Sequence, residues 1–125
     1  MSLPINSPSV EASAGAIRKE ERRHFPRCTV RVPIEIHEEG SNIRRRVETT
    51  DLSRGGCYVE LMMPLPVGIR VQATLWLDGS VVVIQGRVAT RHPQYGNGIM
   101  FIDFEGQGQG EVVLNRYLDA VVALG

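Results

Sequence analysis

Two short clusters of this sequence carry side chains suited to holding an anionic purine nucleotide. The first contains Arg23 and Arg27, which stand four residues apart in the segment RHFPR. A guanidinium group presents a planar fork of donors that matches phosphate oxygens and the O6 and N7 edge of guanine. Two such groups so close in the chain indicate a place where a phosphate or a guanine could be held.

The second cluster is the segment DLSRGG at residues 51–56, which is typical of a turn. The carboxylate of Asp51 can accept hydrogen bonds from N1–H and N2–H of guanine, and the hydroxyl of Ser53 can reach a phosphate oxygen. Gly56 lets a ligand approach the backbone, whose free amides could add further hydrogen bonds. The two clusters together supply the groups that a guanine dinucleotide needs.

The elements that must position these clusters are mostly β-strands, because apolar and polar residues alternate along much of the chain. We expect strands at about 30–37, 43–50, 57–61, 71–77, 81–91 and 99–104, with loops at 51–56 and 92–98. The pair Asp78–Gly79 predicts a tight hairpin turn, and Gly86 suggests a bulge in the following strand. A sheet of six antiparallel strands avoids open edges by closing into a barrel.

The two ends of the chain have a different character. Residues 1–16 are rich in Ser, Pro, Ala and Gly, which predicts a disordered tail ahead of a single domain at 17–125. Residues 111–124 carry an apolar stripe of helical period that extends to Val121 and Val122. The fold class expected is therefore all-β, a six-stranded antiparallel barrel with one C-terminal helix.

Composition argues against several classes of function. Fourteen basic and fourteen acidic residues cancel, so nothing suggests a general binder of DNA or RNA. The three histidines lack companions at metal-ligand spacing, no set of residues suggests catalysis, and two cysteines are too few for a disulfide scaffold. No apolar run is long enough for membrane insertion and no secretory signal is visible, so we expect a cytoplasmic protein that is not an enzyme.

The two clusters also fit a known family. The chain resembles the PilZ domain, whose hallmarks are RxxxR before the first strand and [DN]xSxxG at a later turn between strands. Here these read Arg23-x-x-x-Arg27 and Asp51-x-Ser53-x-x-Gly56, and the segment beginning at Gly98 is similar to the glycine-led last strand of the family. The resemblance covers about residues 20 to 122.

The resemblance implies a barrel that binds the bacterial second messenger cyclic di-GMP on its exterior, with no other cofactor. Arg23 and Arg27 would grip phosphates and guanines, Asp51 and Ser53 would hydrogen-bond the ligand, and Gly56 would keep the turn open. The remaining residues that we expect to contact ligand are Arg22, Arg54 and Gly98, of which the two arginines could assist a second ligand molecule.

The leading hypothesis is a receptor that relays the signal to a partner protein when ligand orders the RxxxR segment. In this family the output often concerns motility, adhesion or exopolysaccharide machinery. The alternative is a PilZ-like adaptor that docks a protein without binding nucleotide. A third reading, a binder of single-stranded nucleic acid, needs exposed aromatic rings on which bases stack. Aromatic residues are only 6% of the chain, and we expect most of them to face inward.

Overall fold

The computed structural model describes residues 25–106 and 108–124, and the predicted tail at 1–16 lies outside these ranges. Within them the chain forms six strands followed by one helix. The elements in chain order are β1 (Pro33–Glu38), β2 (Arg44–Leu52), β3 (Gly56–Glu60), β4 (Arg70–Leu77), β5 (Ser80–His92), β6 (Gly96–Phe104) and α1 (Gln109–Leu124).

The six strands close into a barrel, as predicted. Their order around it is β1-β2-β3-β6-β5-β4, every pairing is antiparallel, and β4 closes the ring against β1. Closure gives each of the six strands a hydrogen-bonded neighbour strand on both sides. The interior is filled by the apolar residues of the predicted alternation, among them Ile34, Ile36, Val82, Ile84 and Val88, all at most 1% exposed.

The hairpin and the bulge are both where the sequence places them. Asp78 and Gly79 have φ angles of 48° and 88°, the left-handed conformation that a two-residue hairpin turn requires and that Gly adopts without strain. The pairing of β5 with β6 shifts register between Gln85 and Gly86. This shift confirms a bulge at the glycine.

Two of the predicted loops are shorter than expected. Strand β2 continues through Leu52, because Asp51 and Leu52 pair with β3. Strand β6 begins at Gly96 instead of residue 99, so the prediction of a loop over 92–98 is wrong. The reason is Asn97, a polar residue that is fully buried. Its side chain bonds the backbone N–H and C=O of Leu65 at 2.8 and 2.9 Å, which anchors this end of the strand.

Helix α1 packs its apolar stripe against the barrel. Leu114 and Leu118 are buried in the core, but the stripe ends earlier than predicted because Val122 is 62% exposed. No helix in the described part of the chain is both long and apolar enough to cross a membrane.

The aromatic side chains are less buried than predicted. None of the seven is fully buried, and Phe25 and Tyr95 are exposed. Only three of the seven pack against the buried core: Phe101, Phe104 and Tyr117. The expectation that most aromatic rings face inward is therefore wrong, since several lie on the outer face of the barrel.

The thiol of Cys57 faces the interior from β3. Burial raises the pKa of this thiol to about 12, with the negative charge of Asp51 adding to the effect and Arg27 opposing it. At pH 8 only about one Cys57 thiol in 10⁴ is then ionised and able to react. We expect iodoacetamide to alkylate half-buried Cys28 before Cys57 in the native protein, and both thiols after unfolding, as measured by peptide mapping. Rapid alkylation of Cys57 in the folded protein at pH 8 would contradict this burial.

Candidate functional site

The turn between β2 and β3 is held together by Ser53. Its backbone N–H donates to the carbonyl of Gly56 at 2.8 Å, and its hydroxyl oxygen accepts from the amides of Gly55 and Gly56 at 3.1 and 3.2 Å. The hydroxyl also lies 3.2 Å from the Gly56 carbonyl oxygen, to which it donates. Both glycine amides are therefore occupied within the turn, and the binding of phosphate by backbone amides of the turn stays a prediction. The hydrogen bonds of Ser53 shape the turn, and its contact with a ligand stays a prediction.

Gly56 is required by the packing of the barrel itself. It lies opposite Met100 at the start of β3, and a Cβ atom built on it would collide with the carbonyl oxygen of Ile99 on β6. This close approach of two backbones is a reason for glycine that the sequence pattern did not reveal. If Gly56 also keeps the turn open to a ligand, that role is additional to its role in the packing of β3 against β6.

The segment that carries Arg27 is fastened directly beside this turn. Cys28 exchanges two backbone hydrogen bonds with Leu52, at 2.8 and 2.9 Å. Arg27 then places its Nη1 atom 3.5 Å from Oδ2 of Asp51. The structure therefore brings Arg27 of the first cluster and Asp51 of the second together on one side of the barrel.

The carboxylate of Asp51 keeps one oxygen unused. Its Oδ1 atom is buried and has no hydrogen-bond partner among residues 25–106 and 108–124. A buried acceptor without a donor is costly, by about 1–3 kcal/mol. Because this oxygen is enclosed by protein, a ligand N–H group, such as N1–H or N2–H of guanine, would reach it only if the carboxylate turned toward the groove.

Of the other predicted arginines, Arg54 alone falls within the described residues. Arg54 projects from the turn to helix α1, where its Nη2 atom lies 2.9 Å from Oδ1 of Asp119. Both side chains are exposed to solvent, and such pairs contribute little to stability, so Arg54 could exchange Asp119 for a ligand phosphate. Arg22 and Arg23 fall outside the described residues, and their contact with ligand stays a prediction.

A groove of about 270 Å³ runs along the outer face of the barrel next to these groups. Arg27 and the turn line one part of it, and side chains of β3, β5 and β6 line the rest. The lining residues that the sequence did not single out as ligand contacts are Phe25, Gly55, Cys57, Tyr58, Ala89, Thr90, His92, Ile99 and Met100. Alternation alone could have placed Tyr58 outside, since Cys57 and Val59 on either side point inward. The residues that lie beside Tyr58 on the neighbouring strands are known only from the strand register.

Gly98 lies in the floor of the groove, where β6 crosses it. Its N–H donates to Oγ1 of Thr90 at 3.0 Å, and a Cβ atom at this position would lie 2.5 Å from the same oxygen. A residue with a side chain would therefore both displace Thr90 and narrow the groove. Gly98 thus lines the groove, and its contact with a ligand stays a prediction.

The hydroxyl of Tyr58 is paired with His92 across the groove wall. Its oxygen lies 3.0 Å from Nδ1 of His92. Burial raises the pKa of Tyr58, and the negative charges of Glu60 and Asp51 raise it further. The hydroxyl thus stays protonated at neutral pH and can take part in this hydrogen bond.

Comparison with known proteins agrees with the fold. The model of the PilZ domain family matches residues 21–120. The PilZ domain of CeSA from a cellulose-synthesising bacterium is 25% identical, with a TM-score of 0.56 over 79% of this chain and 97% of that one. No curated protein sequence matches the chain.

Two more distant solved structures share the fold. The PilZ domain of YcgR from Escherichia coli, solved with c-di-GMP, is 16% identical, with a TM-score of 0.60 over 82% of this chain and 92% of that one. MotI, an inhibitor of motility from Bacillus subtilis, is also 16% identical, with a TM-score of 0.58. This match covers 82% of this chain but only 52% of MotI, so this chain corresponds to about half of that protein.

Proposed function

The chain belongs to the PilZ domain family, and from this premise we propose that it is a receptor for cyclic di-GMP. The family is one of ligand-binding regulatory domains, so the proposed activity is binding and not catalysis. The ligand would occupy the exterior groove beside the turn between β2 and β3. The observation that carries the proposal is the position of Arg27, which lines this groove and lies 3.5 Å from Asp51.

Each group at this place has a complement on cyclic di-GMP. The side chain of Arg27 is 60% exposed, and its guanidinium can fork onto a phosphate or onto O6 and N7 of a guanine. The carboxylate of Asp51, whose side chain is 25% exposed beside Arg27, can accept from the N1–H and N2–H edge of guanine. Cation and acceptor therefore stand side by side, which is the arrangement that distinguishes guanine from adenine.

We further propose that binding is relayed through the RxxxR segment. Arg22 and Arg23 precede Arg27 in the chain, and a dianionic ligand held by all three would fasten residues 17–27 to the barrel wall. A ligand can shift such an equilibrium only through its higher affinity for the fastened state. We expect amide hydrogen exchange of residues 17–27 to slow on addition of cyclic di-GMP. Equal exchange rates with and without ligand would contradict this relay.

A second function is favoured by one surface feature. The loop between β3 and β4 exposes Met62 and Met63, which are 88% and 77% exposed, and Val67 close by. Exposed apolar side chains of this kind are typical of protein interaction sites. An adaptor that docks a partner through this loop would need no nucleotide.

Calorimetric titration of cyclic di-GMP into the whole chain separates the two functions. A receptor should give a saturable heat of binding that weakens as salt is added, because the ligand is anionic and Arg27, which lines the groove, is exposed. The control is cyclic di-AMP, which has the same phosphates but lacks the guanine edge. No heat at high micromolar cyclic di-GMP would reject the receptor and favour the adaptor.

A further inference from the structure

Tyr58 stands in a row of residues that crosses the outside of the barrel. It lies directly opposite Asp51 on β2 and Gly98 on β6, and Gly98 lies opposite Thr90 on β5. Residues opposite each other on neighbouring strands point to the same face of a sheet. Since Cys57 and Val59 are buried, this shared face is the exterior.

The missing side chain of Gly98 opens a space beside Tyr58. Thr90 approaches the glycine backbone closely, and the groove passes over both residues. Tyr58 and His92 line the same groove as Arg27 and the Ser53–Gly56 turn. A ligand that reaches from the arginine along the groove therefore meets aromatic rings.

The two rings are arranged before any ligand arrives. The hydrogen bond between Tyr58 and His92 spans 34 residues of sequence, and the ring centroids lie 5.7 Å apart with an angle of 43° between the planes. They are tilted and not stacked on one another. Tyr58 is half-buried and His92 is exposed. Little side-chain entropy remains to be lost when a flat ligand settles on a ring held in this way.

We propose that Tyr58, held by His92, is the platform on which a purine base of the ligand stacks. This inference rests on the proposed function and adds a base subsite to it. Stacking on an aromatic ring is insensitive to base identity because every base has a π-face. The platform therefore contributes affinity, whereas Arg27 and Asp51 contribute the choice of guanine.

The test compares variants of Tyr58 by calorimetry with cyclic di-GMP. Tyr58→Ala should weaken binding about five- to twenty-fold, the lower part of the range for loss of a stacked base. Tyr58→Phe keeps the π-face but loses the hydrogen bond to His92 that holds the ring, so it should weaken binding less than Tyr58→Ala does. His92→Ala should fall between these two. The matched control is Trp76→Ala, a half-buried aromatic residue of β4 that lies against Arg46 and does not line the groove.

A spectroscopic measurement separates stacking from a structural role. Ring protons of Tyr58 should shift upfield when ligand binds, because they enter the shielding region above a purine. Thermal unfolding of each variant checks that the barrel is intact. Unchanged affinity in a folded Tyr58→Ala protein, or unshifted ring protons of Tyr58, would contradict the proposal that a base stacks on Tyr58. Either result would be compatible with the receptor function. If the unaltered protein gives no heat with cyclic di-GMP, it is the receptor function that fails.

Discussion

Replacing Arg27 by alanine should weaken cyclic di-GMP binding about 12- to 140-fold. A hydrogen bond to a charged group contributes about 1.5–3 kcal/mol, and each 1.4 kcal/mol is a factor of ten in affinity. Arg27 lines the groove, and the loss of its side chain removes the cation nearest to Asp51. An anionic ligand would then meet the Asp51 carboxylate without its counter-charge. Calorimetric titration gives the ratio of dissociation constants.

The matched control for this variant is Arg46→Ala. Arg46 is also an exposed arginine of the barrel, but its guanidinium carbon lies 4.4 Å from the centroid of the Trp76 ring on β4. Neither Arg46 nor Trp76 is among the residues that line the groove. Affinity should not change in the control. Equal losses of affinity in both variants would mean that ligand binding depends on the overall charge of the protein. Unchanged affinity in Arg27→Ala would show that Arg27 does not contact the ligand.

Replacing Gly56 by alanine should destabilise the barrel by about 2–3 kcal/mol, as expected for an atom forced into a packed interior. The added methyl group would collide with the carbonyl oxygen of Ile99, and backbone cannot move aside as a flexible side chain can. The two strands β3 and β6 would have to separate. For a domain of this size the midpoint of thermal unfolding should fall by roughly 10–20 °C.

Gly55→Ala is the control beside it in the chain. A Cβ atom at Gly55 would lie 3.2 Å from Cδ2 of Phe25, an exposed ring that can shift. Neither glycine has a positive φ angle, so alanine is compatible with the backbone at both positions. Gly55→Ala should therefore unfold close to the unaltered protein. A Gly56→Ala protein with unchanged stability and lost ligand binding would instead assign Gly56 to the ligand site alone.

The sequence was sufficient to predict the barrel because short stretches of it show which residues face the interior and where the hairpin turns. Period-two alternation identifies Val82, Ile84 and Val88 as inward-facing, and the pair Asp78–Gly79 identifies the hairpin. Both signals lie within a few residues of the feature they predict. The two motifs were likewise sufficient to predict that Arg27 and Asp51 contact the same ligand.

What the sequence could not provide are the contacts between distant segments. Asn97 occurs in a stretch typical of a loop, yet it is buried because Leu65 and Thr90 satisfy its amide. Similarly, the link from Arg54 to Asp119 spans 65 residues. Such pairs depend on strand register and helix placement, which no local pattern contains. The composition of a groove wall is therefore visible only once the barrel is assembled.

The measurement that most directly tests the account is a two-dimensional amide NMR titration of the whole chain with cyclic di-GMP. The account predicts that the largest shifts cluster around the groove, at Arg27, Gly55, Gly56, Tyr58 and Gly98. Amides of the exposed β3–β4 loop at Met62 and Met63 should remain unshifted. A saturable set of shifts confined to a different face of the barrel, or none at all, would contradict the claim that Arg27 and the Asp51–Gly56 turn share one ligand.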